Sequence, residues 1–246
     1  MRTDGRAIDE LRPVRLIPDF TENPLASVLC HMGRTIVLCT VSEELGVPRF
    51  LKGTGRGWIT AEYSMLPGST EERTNREAVR GRQSGRTQEI QRLIGRSLRA
   101  VADLSLLGDR TLELDCDVLQ ADGGTRCASI TGAYTALALA IDRLIQRGDL
   151  DRQPLNDSVA AVSAGIVDGR AVLDLPYEED SRAEVDMNVV ATGRGRFIEI
   201  QGTGEEATFT SEQLNELTRL SLGGIAELTK IQEQALSESR HSHSPA

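Results

Sequence analysis

The chain has 246 residues, with 28 Lys and Arg against 37 Asp and Glu for a formal net charge of −9. That length suffices for one large domain with a sizeable core. No run approaches the roughly 20 apolar residues of a membrane span, and the start of the chain, with Arg2, Asp4, Arg6, Asp9 and Glu10, lacks a signal-peptide apolar centre, so a cytoplasmic protein is expected.

In chain order, residues 14–20 read as a strand, 26–31 and 34–41 as a hairpin turning through Met32 and Gly33, and 58–65 as a further strand. His31 is the only histidine outside the tail; beside that hairpin turn it is assigned a structural role. Hydrolysis by a Ser-His-Asp set or a paired-histidine ribonuclease mechanism therefore has no base to work with. Next comes an arginine run, Arg73, Arg76, Arg80, Arg82, Arg86, Arg92, Arg96 and Arg99, whose local field suits phosphate or an RNA backbone despite the acidic whole. Lys52 and Lys230 are the only lysines, so a general preference for arginine explains much of the count but not its placement. Arg92, Arg96 and Arg99 share one face of a helix whose other face is Ile90, Leu93, Ile94, Leu98 and Val101. With Arg73 and Arg76 that face is the candidate RNA surface; an ordinary solvated face is the alternative. Arg80, Arg82 and Arg86 lie in and beside the glycine-bounded loop 81–85 that enters this helix, where guanidinium forks can converge on a phosphate.

Residues 111–118 alternate as a half-buried strand, broken by Asp122, Gly123 and Gly124; helical spacing resumes from Thr125 through Ile130, Ala133, Tyr134, Leu137, Ile141 and Leu144. Gly124, Thr125 and Arg126 then start a helix, where unpaired N–H groups and the dipole favour an anion. A plain glycine turn is an equal reading of that motif by itself. Cys30, Cys39, Cys116 and Cys127 form no CxxC pair and have no nearby histidine, which argues against zinc and disulfides. Cys127 falls in the first turn of the same helix, where the dipole lowers a thiol pKa; a harmless replacement is expected there, with oxidation sensitivity, read by phosphate protection from alkylation, as a minor expectation.

The polar stretch 149–157 marks a connection between halves, followed by a hairpin of 159–167 and 171–175 across Asp168 and Gly169 and strands at 184–191 and 196–201. Glu184, Asp186 and Asn188 share the polar face of that third strand; Asp180, six residues before Asp186, lies about 20 Å away along a straight strand, so the two meet only if residues 179–182 turn. Thr210 with Gln213 forms a capping box for a closing helix with apolar Leu214, Leu217, Ile225 and Leu228, and SESRHSHSPA is expected to be a disordered tail. Strands then helices, twice over, indicate an α+β class with two α/β halves in one unit, about 1–150 and 158–238, and 239–246 as tail.

Six motifs now stand in one order: RTDGR at 2–6, LRPV at 11–14, GWITAEYSMLP at 57–67, SGRTQEIQRLIGRSLRA at 84–100, DGGTR with ASITGAY over 122–134 and EDSRAEVDMNVV at 179–190. From residue 2 to about 234 the chain resembles the bacterial ribonuclease PH family. The resemblance implies phosphate-dependent trimming of RNA 3′ ends, notably of transfer RNA precursors, on a fold shared with a small-subunit ribosomal protein domain. It further implies that Arg86, Gly124, Thr125 and Arg126 bind phosphate, that Asp180 and Asp186 are catalytic and hold Mg²⁺ or Mn²⁺, and that the enzyme is a ring-shaped homohexamer built as a trimer of dimers. One departure is local: family members frequently carry a basic residue where this chain has Gly68, followed by Glu71 and Glu72. A non-catalytic RNA-binding ring subunit of an exosome-like assembly would keep the arginines but lose the carboxylates or the phosphate turn, and both are present. A small-molecule kinase on a related fold lacks a GxxxxGK[ST] loop here.

Overall fold

The computed structural model describes residue 2, residues 4–205 and residues 207–242. In chain order the elements are β1 (Val14–Pro18), β2 (Ala26–Met32), β3 (Thr35–Leu45), β4 (Trp58–Met65), α1 (Glu77–Arg80), α2 (Gly85–Arg99), β5 (Arg110–Gln120), α3 (Thr125–Arg147), β6 (Val159–Val167), β7 (Arg170–Leu173), α4 (Tyr177–Asp180), β8 (Val185–Thr192), β9 (Phe197–Gly204) and α5 (Ser211–Ser242). One sheet runs β1-β2-β3-β5-β4 and the other β7-β6-β8-β9. All neighbours are antiparallel except β4 and β5, which run parallel because the chain between them crosses back through α2.

Alternation sets the inner faces. In β3, Thr35, Val37, Cys39 and Val41 are buried, and in β5 so are Leu112, Leu114, Cys116 and Val118. The helix α3 packs on β2, β3 and β5 on one side and on β6 and α5 on the other, so one continuous core joins both halves. Because α3 is covered from both sides, its sequence is apolar almost all round. It is long and apolar enough by composition to cross a membrane, with a mean hydropathy of 1.2 over its best window, yet 83% of that window is buried inside the protein. The expectation that no stretch approaches a span is corrected to this extent, and burial marks α3 as a core helix.

A strap before β1 ties the halves together. Arg2 pairs with Glu179 at 2.6 Å, Arg12 with Asp174 at 2.7 Å, and Leu173 N–H donates to the Ile8 carbonyl at 2.7 Å. Asp174 has a positive φ of 53°, bent out of strand geometry to meet Arg12, and this ends β7 at Leu173, two residues before the expected limit. Asp19, φ 56°, likewise ends β1 at Pro18. The capping box forms as expected, with Thr210 N–H on Gln213 Oε1 at 2.9 Å and Gln213 N–H on Thr210 Oγ1 at 3.3 Å. The expected tail is corrected: α5 continues to Ser242, because Ser239 is buried and bonds Asp19 while Arg240 pairs with Asp142 at 2.7 Å. Residues 243–246 of that stretch lie outside the described residues.

Candidate active site

Two helices begin side by side with opposite treatment of their amino ends. At α2 the Ser84 side chain accepts from Thr87 N–H at 3.2 Å, which satisfies a first-turn donor internally. At α3 the cap is Gly124, left-handed at φ 66°, and among the described residues no side chain caps the first turn. Donors and dipole there stay directed outward. Gly123 is left-handed too, and a Cβ on it would lie 2.6 Å from the Leu175 carbonyl oxygen and 2.9 Å from the Tyr177 nitrogen, so only glycine lets the chain of 175–177 press against this turn.

That close approach positions α4. Tyr177 N–H donates to Asp122 Oδ1 at 3.3 Å, and Glu179, buried against Arg2, anchors the single turn that carries Asp180. The expected bend therefore exists. Asp180 stands in the field of Arg86, Arg12 and Arg126; burial raises its pKa and those three cations work against the rise. Asp186 enters from β8, where Val185, Met187 and Val189 face the core and Asp186 and Asn188 the polar side, as the alternation requires. Its pKa is pushed up to about 6, first by burial and next by the negative charge of Asp180, with Arg126 opposing. Asp186 Oδ1 is buried with no hydrogen-bond partner among the described residues, while Oδ2 accepts from Asn188 Nδ2 at 3.4 Å. A buried, unpartnered carboxylate oxygen in the field of a second carboxylate is a place for a proton or a cation.

Arg126 reaches across to Gln201 Oε1 at 2.5 Å and Glu89 Oε1 at 3.4 Å, and Thr125 Oγ1 accepts from Tyr63 Oη at 2.9 Å. Arg86 is exposed on the first turn of α2 and lines a groove of about 910 Å³ together with Arg73, Arg76, Arg82, Glu62 and Asp117. The structure thus gathers Arg86, Gly124, Thr125, Arg126, Asp180 and Asp186 at one end of the two sheets, with Arg73 and Arg76 beside them. The rest of the arginine face is divided. Arg92 is exposed in a second groove of about 530 Å³, Arg96 pairs with Glu199, and Arg99 lies 4.3 Å over the Trp58 ring with Nη1 on the Ile59 carbonyl at 2.8 Å, so Arg99 is engaged in holding α2 to β4.

Sequence reasoning missed Arg12, Thr35, Tyr63, Asp174 and Glu205. Arg12 and Tyr63 stood in quoted motifs that were given no site role, and Thr35, Asp174 and Glu205 are remote in sequence from the groups they meet, so only the folded chain brings them to the site. Glu184, taken from alternation as a neighbour of Asp186, instead accepts from Gly169 N–H at 2.9 Å; the third carboxylate acting on Asp180 and Asp186 is Glu205. Among the described residues no group of three or more His, Cys, Asp or Glu is clustered closely enough to hold a metal ion by itself. The lowered thiol pKa expected of Cys127 is overturned. Burial pushes its thiol pKa well up, Arg126 and the helix end do not offset that, and Sγ lies 3.3 Å from Asn188 Oδ1. Alkylating reagents are expected to leave Cys127 unmodified in the folded protein with or without phosphate, read by mass spectrometry of the labelled peptide; labelling at the rate of a free thiol would contradict this burial.

The sequence model of the 3′ exoribonuclease family, domain 1, matches residues 10–141, and that of domain 2 matches residues 157–224. The chain belongs to the ribonuclease PH family. It is 60% identical over 235 residues to the ribonuclease PH of Corynebacterium glutamicum (strain R), covering 96% of each chain, and 61% identical over 236 residues to that of Mycobacterium bovis (strain BCG / Pasteur 1173P2), covering 96% of this chain and 91% of the relative. Among solved structures it is similar to a chain of the Archaeoglobus fulgidus exosome with RNA bound to the active site, with a TM-score of 0.79 at 24% identity over 93% of this chain and 91% of the other. An archaeal exosome core chain gives a TM-score of 0.75 at 24% identity over 94% and 91%. At that identity the likeness is one of fold, and it agrees with the α+β two-half architecture of the ribonuclease PH family.

Proposed function

We propose that the protein is a phosphate-dependent 3′–5′ exoribonuclease that trims the 3′ ends of transfer RNA precursors, releases nucleoside diphosphates and, in reverse, adds nucleotides from diphosphates. The observation that carries this reading is the convergence of an uncapped helix amino end, Arg86 and Arg126 with the Asp180–Asp186 pair. Family membership at about 60% identity agrees with it.

Inorganic phosphate is already an anion at neutral pH and needs no base. Arg86, the Gly124 and Thr125 amides, the Thr125 hydroxyl and Arg126 hold it in line with the terminal phosphodiester. A phosphate oxygen forms the new bond to the terminal phosphorus, the bond to the penultimate 3′-oxygen breaks, and that oxygen takes a proton as the shortened RNA leaves. Asp180 and Asp186, with the unpartnered Oδ1, fit a divalent cation whose remaining ligands are waters. When bound, Mg²⁺ or Mn²⁺ supplies positive charge to the non-bridging oxygens. Asp180 serves as a ligand or as the acid for the leaving oxygen. The groove with Arg73 and Arg76, extended by Arg92 and Arg96, receives the RNA backbone, and Arg99 acts through Trp58 to support that wall. A homohexamer in the cytoplasm is the assembly this reading carries from the family.

The test is incubation of the protein and Mg²⁺ with an RNA bearing extra 3′ nucleotides, with and without phosphate. Diphosphates released only with phosphate are expected. Monophosphates without phosphate would make the enzyme a hydrolase, and RNA binding without release would favour the non-catalytic ring subunit.

A further inference from the structure

We infer that Thr35 and Arg12 are positioning residues for the attacking phosphate, setting the direction of the turn amides from behind; this rests on the phosphate site proposed above. Thr35, the fully buried first residue of β3, holds two groups of the turn at once. Its Oγ1 donates to the Gly123 carbonyl at 2.7 Å and accepts from Asp122 N–H at 2.9 Å. Arg12 reaches the same peptides from the strap, with Nη1 on the Asp122 carbonyl and Nη2 on the Gly123 carbonyl at 3.5 Å.

Direction follows from peptide geometry. In a trans peptide the C=O and the next N–H point opposite ways, and no cis bond occurs among the described residues. The Asp122 and Gly123 carbonyls are drawn inward by two buried side chains, so the Gly123 and Gly124 N–H groups are turned outward, toward the open amino end of α3. Both glycines are left-handed, at φ 73° and 66°, and without those anchors such a turn has many alternatives. The anchors are themselves fixed. Arg12 bonds Asp174 through N, Nε and Nη2 at 2.7, 3.0 and 2.7 Å, which fixes the guanidinium, and Gly124 leaves room for it, since a Cβ there would meet Arg12 Nη2 at 3.1 Å. Preorganised donors cost no reordering when the anion arrives, and this is where such residues act on a reaction they never touch.

The test is phosphate saturation of RNA trimming in the wild type, Thr35→Val, Thr35→Ser and Arg12→Lys. Thr35→Val is isosteric and removes both hydroxyl bonds; the KM for phosphate is expected to rise about tenfold, the worth of roughly 1–1.5 kcal/mol of hydrogen bonding, with the KM for RNA and the kcat at saturating phosphate little changed. Thr35→Ser restores the hydroxyl and is expected to restore the wild-type KM. Arg12→Lys keeps a charge for Asp174 but cannot fork onto two carbonyls, so it gives the same phosphate-specific rise by an independent route should Thr35→Val fold poorly. Wild-type phosphate KM values in Thr35→Val and Arg12→Lys, or a Thr35→Ser enzyme as impaired as Thr35→Val, overturn the inference. A wild type that releases nothing in response to phosphate instead overturns the proposed function, so the two failures are distinct.

Discussion

Asp186→Asn is expected to give a folded protein that releases no nucleotide from RNA and that is more stable than its parent at neutral pH. The two expectations share one cause. Asp186 is mostly withdrawn from water and faces Asp180, so its folded-state pKa stands at about 6 against an ordinary 3.8. The group binds its proton more tightly folded than unfolded. Below about pH 4 it is neutral in both states and costs nothing; between about 4 and 6 the unfolded chain ionises first and stability falls; above about 6 the full cost of the buried charge is present. Asparagine has the same shape and no charge. The stabilisation should therefore be absent near pH 3.5, grow through that window and level off above it at on the order of 2 kcal/mol. Thermal unfolding across pH in a chelating buffer, beside a trimming assay, measures both. Full activity in this variant would move the essential carboxylate, with Glu205 the next to test, since Glu184 is committed to the β6–β7 turn.

Arg86→Ala is expected to remove phosphate-dependent trimming while the protein stays folded. Arg86 is exposed on the first turn of α2, where truncation seldom shifts stability by more than about 0.5 kcal/mol. Its charge acts on both Asp180 and Tyr63, and the side chain lines the groove of about 910 Å³. Two charge-assisted hydrogen bonds at roughly 1.5–3 kcal/mol each imply a loss of about 100-fold or more in kcat/KM for phosphate. RNA binding measured without phosphate should be nearly unchanged, because the groove keeps Arg73 and Arg76. A variant that saturates at the wild-type phosphate concentration would take Arg86 out of the anion site.

Local pattern made much of this legible in the sequence. Period-2 alternation gave β5 and β8 with the correct inner faces, the DGGTR stretch gave the open helix end, and the six-residue gap between Asp180 and Asp186 required the bend that α4 supplies. What pattern could not give is support that arrives from elsewhere in the chain. Thr35 and Asp122 meet because β3 pairs with β5 in one register, and Arg12 finds Asp174 across the whole molecule. The lowered pKa expected of Cys127 failed for a related reason: the helix-end argument is local, while the thiol is buried in the shared core with Asn188 of β8 beside its Sγ. The tail failed because the fate of α5 past residue 236 is decided by Asp19 and Asp142.

The amino-terminal strap also sets an order of events during synthesis. Arg2 and Arg12 are translated 177 and 162 residues before their partners Glu179 and Asp174, so these cations wait for anions of the second half. At about 5–20 residues per second that delay is roughly ten to thirty seconds. Once residues 122–126 are made, the turn has Thr35 beneath it but an Arg12 still without Asp174, and the nascent chain carries the sequence of an anion site before its support is complete. Catalytic competence is thus tied to completion of the second half, and a chain cut short before Asp174 has neither acidic partner of its own strap.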